Sequence, residues 1–277
     1  MNDLLEKKRS YISEISLQAD YAMMCPVKYE ETMLMNRCGL AVAILLIASL
    51  TLGAQKDAKE LGIKYMRDSE EYATLARQVY RSAGDAVDRA ASAVSGAWAV
   101  VMDIDETPLD TTAYSLERAA YGLPFDDASF RAWTERRQAT PIPGVVGFIS
   151  HIRQVGGHIA WISNREAAVI DATRDNLKWI GLWNDDDRLC LQKTPEHTKA
   201  QRRRELISGK GECSWPNRPI RVVAFVGDQL GDFPDVSEGI LDTGDDESFG
   251  RTCFLLPNSM YGPWTTRVTR VVPHVKP

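Results

Sequence analysis

The chain has 277 residues, with 33 Lys or Arg against 38 Asp or Glu, a formal charge of −5. Apolar residues at 44% and charged residues at 26% are globular proportions, and the mild acidity argues against sequence-independent nucleic-acid binding, which needs a basic face. With four histidines, no H-E-x-x-H and no C-x-x-C, a zinc site is not expected.

From Gly39 to Ala54 no residue is charged. The run is short for a bilayer span, which needs roughly 20 residues. Arg37 in front, Leu40–Ala48 as the apolar centre and Leu52-Gly53-Ala54 behind are the parts of a secretory signal peptide. Residues 1–54 are therefore expected to be an upstream extension plus signal, with Met33 or Met35 as a candidate start, and 55–277 the exported domain. The alternative is an uncleaved anchor. Export exposes Cys190, Cys213 and Cys253 to oxidation, so one disulfide is expected among them, the pair left open.

Downstream, Tyr72, Leu75, Ala76, Val79, Tyr80, Ala83, Ala86, Val87, Ala90, Ala91 and Val94 recur at helical spacing, and Asp68 with Glu71 reads as a capping box. Trp98–Met102 is a continuous apolar strand ending in Asp103. A helix from Pro143-Gly144 to Val155, a strand at His158–Ile162, a helix at Glu166–Ile180, a strand at Leu189–Leu191, a helix at His197–Ser208 and strands at Val222–Val226 and Thr252–Leu256 follow. Apolar strands alternating with amphipathic helices predict an α/β fold, a Rossmann-like parallel sheet with helices on both faces. In such sheets ligands bind beyond the strands' carboxyl ends. Asp103-Ile104-Asp105-Glu106-Thr107, Ser163-Asn164-Arg165 and Gly227-Asp228-Gln229-Leu230-Gly231-Asp232-Phe233 should therefore converge. Asp103, Asp105, Asp228 and Asp232 would place four carboxylates around one point, which repel unless a cation is present. All-oxygen ligands suit a hard ion, Mg²⁺ above others.

This set resembles the haloacid dehalogenase superfamily, and within it the class C nonspecific acid phosphatases. The D-[IL]-D-E-T start, the G-D-x-L-x-D-F end, the Ser-Asn-Arg and Leu256-Pro257-Asn258-Ser259-Met260-Tyr261-Gly262 are all present. The likeness runs from about Asp68 to Trp264. The chain departs from the pattern at Gln229, where Asn is frequent, at Pro108, at Gly209–Pro219, which reads as an insertion, and in lacking a lipid-anchor cysteine after the apolar run.

The resemblance implies a periplasmic or secreted acid phosphatase acting through an aspartyl-phosphate on small phosphomonoesters such as nucleoside monophosphates. It implies no nucleic-acid polymer as partner and no membrane anchor after signal cleavage, and leaves a homo-oligomer open. Asp103 becomes the nucleophile, Asp105 the general acid and base, and the metal set is Asp103, Asp105 (through its main-chain carbonyl) and Asp228 as direct ligands, with Asp232 holding a metal-bound water or orienting a neighbour. Ser163, Asn164 and Lys199 would bind phosphate. Lys199 is preferred to Lys193 because relatives carry K-[SA]-x-x-R at a helix head, as in Lys199-Ala200-Gln201-Arg202. Pro108–Ile142 is expected to form a small helical cap. Among Trp133, Tyr114, Tyr121, Tyr261 and Trp264, the best substrate-lining candidates are Trp133 and Tyr261. Arg202, Arg203 and Arg204, in sequence, are expected mostly to face solvent. A specialised 5′-nucleotidase, a phosphotransferase, and a non-catalytic storage or binding relative are the alternatives.

Overall fold

The computed structural model describes residues 60–216, 220–234 and 247–266. The expected signal and extension over 1–54 lie outside them. Among the described residues no helix is long and apolar enough to cross a membrane.

After a helical segment at 60–68, helix α1 spans Glu70–Ala91 and buries Tyr72, Ala76, Tyr80, Ala83, Ala86 and Val87. Leu75 departs from the expected stripe and is 40% exposed. The cap is Ser69, whose side chain accepts the N–H of Tyr72, rather than Asp68, whose carboxylate is taken by Arg67 at 2.7 Å.

Five strands build the sheet: β1 (Trp98–Met102), β4 (His158–Glu166), β5 (Arg188–Gln192), β6 (Arg221–Gly227) and β7 (Cys253–Leu255), all parallel, in the order β5-β4-β1-β6-β7. Side chains alternate across a strand. Val100, Met102, Ile159, Trp161, Ala224 and Val226 enter the larger core with α1, while Ala99, Val101, Ala160, Ile162 and Phe225 enter a smaller one on the other face. Burial on both faces explains the continuous apolar runs. Helices α4 (Val145–Gln154), α5 (Ile170–Trp179) and α6 (Lys199–Ser208) complete the wound fold. The helix expected from Glu166 starts only at Ile170, because β4 continues through Ser-Asn-Arg to Glu166 with a register shift between Ser163 and Glu166.

The insertion after β1 closes on a two-stranded antiparallel pair, β2 (Leu109–Asp110) with β3 (Thr140–Pro141), and carries helices α2 (Thr112–Ala120) and α3 (Asp127–Thr134). Its core is aromatic: Tyr114, Phe125, Phe130 and Trp133 pack together, with Phe130 and Trp133 stacked at 6.0 Å. On the smaller-core side a disulfide joins Cys190 of β5 to Cys213 of the 209–216 loop, and Cys253 is buried outside it.

Asp187 ties the lower sheet together. Its buried carboxylate receives Arg153 at 2.6 Å on each oxygen, the indole N–H of Trp161 and the backbone N–H groups of Ile159 and Asn184. Asp187→Ala is expected to cost about 3–5 kcal/mol by stranding these donors, read as a lower denaturant midpoint. A midpoint equal to wild type would contradict this.

Candidate active site

Asp103 follows β1 directly, and its N–H donates to the carbonyl of Val226 on β6. Asp228 follows β6, and Asp232 closes the short helical turn at Leu230–Asp232. Carboxylate oxygens of Asp103, Asp228 and Asp232 lie within 4.8 Å of one another, and all three residues are buried. Gly227 permits this approach, because a Cβ there would fall 2.4 Å from the Asp232 carboxyl.

Lys199 heads α6, where Thr198 caps the helix through the N–H of Gln201 at 3.2 Å. Its Nζ donates to Oδ1 of Asp103 and to Oδ1 of Asp232, each at 2.6 Å. Lys193, the alternative, is exposed and pairs with Glu212. Burial opposes the ammonium of Lys199, but Asp103 and Asp232 outweigh it and hold the group above its ordinary range. Burial pushes the Asp103 carboxyl up to about 6, although Lys199 pulls the other way. Asp228 is raised well above the usual carboxylate range by burial and then by Asp232 and Asp103. Three crowded carboxylates balanced by one ammonium form an all-oxygen set that fits a hard divalent cation.

Asp105 does not join that trio. The expectation of four carboxylates at one point rested on strand alternation, but Asp105 lies beyond β1. A turn there takes Glu106 to φ 52°. The Asp105 carboxylate is held by the Arg165 guanidinium at 2.7, 3.0 and 3.2 Å. Arg165 in turn donates to Thr173 and lies 5.6 Å from the Phe130 ring of the cap.

Ser163 accepts the N–H of Arg165 and lies 3.5 Å from Asp105. Asn164 accepts from Arg202 at 2.5 Å. Arg202 and Arg203 are buried, against the expected solvent exposure. They leave α6 on different sides and each finds backbone carbonyls: Arg202 those of Ser163 and Cys190, Arg203 those of Gly231 at 2.9 Å and Phe233 at 2.9 Å. They tie the helix that carries Lys199 to the loops after β4 and β6.

Asp103, Asp105, Ser163, Asn164, Lys199 and Asp232 floor a cavity of about 820 Å³, walled by Tyr114, Phe125, Phe130, Val169, Met260 and Tyr261. Tyr261 is therefore on the lining. Trp133 is not, because it fills the cap's own core at 3% exposure while its neighbour Phe130 faces the cavity. Tyr121 points to solvent, and Trp264 borders a second cleft. Sequence reading singled out neither Glu106 nor Arg165, although both lie within quoted motifs. Asn258 was likewise passed over. Its side chain donates to Asp228 at 2.7 Å.

A buried carboxylate at the end of the central strand, an ammonium paired with it and a cation-fitting trio suit a phosphomonoesterase of the haloacid dehalogenase fold. Residues 37–264 match the family described as HAD superfamily, subfamily IIIB (Acid phosphatase), and the chain belongs to it. Two solved structures are similar, a class C acid phosphatase from Bacillus anthracis and the class C acid phosphatase from that organism with tungstate bound. They are 27% and 26% identical to the chain, each with a TM-score of 0.64, and each alignment covers 76% of this chain and 87% of the other.

The raised carboxyls give a pH signature. Asp103 binds its proton more tightly when folded, about 6 against an ordinary 3.8. Its ionisation therefore costs metal-free protein stability that is intact below about pH 4 and lost as pH rises through 6. Metal-free protein is expected to melt at a lower temperature at pH 7 than at pH 5, with the decline shallower in Asp103→Asn. An unchanged decline in that variant would contradict the assignment.

Proposed function

We propose that this acid phosphatase is an exported, Mg²⁺-dependent enzyme that hydrolyses nucleoside monophosphates and other small monoesters through an aspartyl-phosphate on Asp103. The observation that carries the reading is the placement of Asp103 at the floor of a cavity of about 820 Å³, beside Lys199 and below an aromatic wall. A polar floor suits the phosphate, and the rings of Phe130 and Tyr261 suit a planar leaving group. The uncharged run at Gly39–Ala54 supports export.

Asp103, Asp228, Asp232 and the main-chain carbonyl of Asp105 are the groups that would hold the cation. When bound, the cation offsets the repulsion between Asp103 and the phosphate dianion. A carboxylate oxygen of Asp103 attacks phosphorus, and the bond to the leaving alkoxide breaks. Asp105, oriented by Arg165, gives its proton to that alkoxide and then takes a proton from the water that opens the aspartyl-phosphate. Ser163 Oγ, Asn164 and Lys199 Nζ hold phosphate oxygens. A specialised 5′-nucleotidase or a phosphotransferase would use the same floor, and adding an acceptor alcohol to a substrate panel separates them.

Asp103→Asn is expected to abolish turnover. Asp105→Asn should slow alkyl phosphates by roughly 10²–10⁴-fold and nitrophenyl phosphate far less, because only poor leaving groups need the proton. Equal losses across leaving groups would make Asp105 structural. Dialysis against EDTA should remove activity and Mg²⁺ should restore it, whereas full activity after exhaustive chelation would sink the metal reading.

A further inference from the structure

Glu106 has no place in the chemistry above, and it is not among the cavity's lining residues. It is nevertheless fully buried, at 0% exposure, with a φ of 52° that non-glycine residues adopt only where their surroundings enforce it. An apolar side chain is the ordinary occupant of such a site, since a buried carboxylate needs several donors to offset its lost hydration.

The donors to Glu106 come from two segments of the cavity lining that are far apart in sequence. Its Oε1 accepts the backbone N–H of Thr111 at 3.0 Å and also the Thr111 hydroxyl. Its Oε2 accepts the hydroxyl of Tyr261, 155 positions downstream. Thr111 is the residue from which cap helix α2 departs, and both Thr111 and Tyr261 line the cavity. Tyr261 is fixed at its other end by Asn258, which accepts its backbone N–H and donates to Asp228. One carboxylate thus sets the spacing between the root of the cap and the aromatic wall, and the Asn258 link refers both to the floor.

We infer that Glu106 is a specificity-setting positioning residue: by clamping Thr111 to Tyr261 it pre-builds the side of the cavity that receives a ring-bearing leaving group. The inference rests on the ring-bearing substrate class proposed above. Preorganisation of this kind lowers the ordering cost of binding and leaves the reacting centre alone. Its loss should therefore weaken binding of large monoesters selectively.

The test compares a nucleoside 5′-monophosphate with ethyl phosphate in holoenzyme carrying Glu106→Gln, Tyr261→Phe or both. Glu106→Gln keeps the volume but cannot accept from both segments. It should raise KM for the nucleotide about tenfold, the scale of one hydrogen bond lost at a buried group, with a far smaller rise for ethyl phosphate. Tyr261→Phe should raise the nucleotide KM alike, and the double variant should be no worse than either single one. Equal KM rises for both substrates, a collapse of kcat for both, or additive effects would overturn the inference. If Glu106→Gln does not fold, Thr111→Val paired with Tyr261→Phe reads the same clamp by the same criteria. Wild-type enzyme that binds the nucleotide no better than ethyl phosphate would retire the substrate reading alone. The clamp would then be judged on melting temperatures, where non-additive losses uphold it and additive losses overturn it.

Discussion

Three buried carboxylates within 4.8 Å of one another are the constraint around which the upper half of this molecule is arranged. Left alone, such a trio repels itself and resists losing its protons. Lys199 supplies one compensating charge, shared between Asp103 and Asp232, and a hard cation would supply the rest. A phosphate dianion can approach Asp103 only against this background of compensated charge. The same balance leaves metal-free protein with carboxyls raised by burial and crowding.

Holding Lys199 in place takes structure elsewhere. Arg202 and Arg203 fasten its helix to the loops after β4 and β6 through backbone carbonyls, which do not depend on any further side chain. The Cys190–Cys213 bridge fixes the following loop to β5. On the opposite side, Arg165 joins the Asp105 carboxylate to the cap through Phe130, and an exposed Arg131–Glu166 pair ties the cap to the end of β4. An exposed pair of this kind adds little stability.

The fold was legible because each strand is buried on both faces and so appears as an unbroken apolar run. The ends of those runs marked Asp103, Ser163 and Asp228. What escaped notice depended on partners distant in sequence. Arg202 and Arg203 look like a polar helix surface, since nothing in the sequence says that backbone carbonyls wait on two of its sides. The direction of Asp105 goes with Arg165, 60 positions away, whose guanidinium takes its carboxylate. Ser-Asn-Arg-Glu has the polarity of a loop, yet β4 runs through it. Ser69 and Asp68 are equally able caps by residue type, but Asp68 belongs to the helical segment at 60–68 and Ser69 is the extended residue at which α1 begins. Trp133 and Phe130 lie one helical turn apart, and only the cap's packing shows which ring faces the cavity.

The central claim is that Asp103 carries the phosphoryl group. Rapid acid quenching of enzyme mixed with a ³²P-labelled monoester, followed by peptide mapping, tests it most directly. The account predicts an acid-stable, hydroxylamine-labile label on the peptide containing Asp103, absent from Asp103→Asn. No trapped label under conditions of rapid turnover, or a label on another residue, would contradict it.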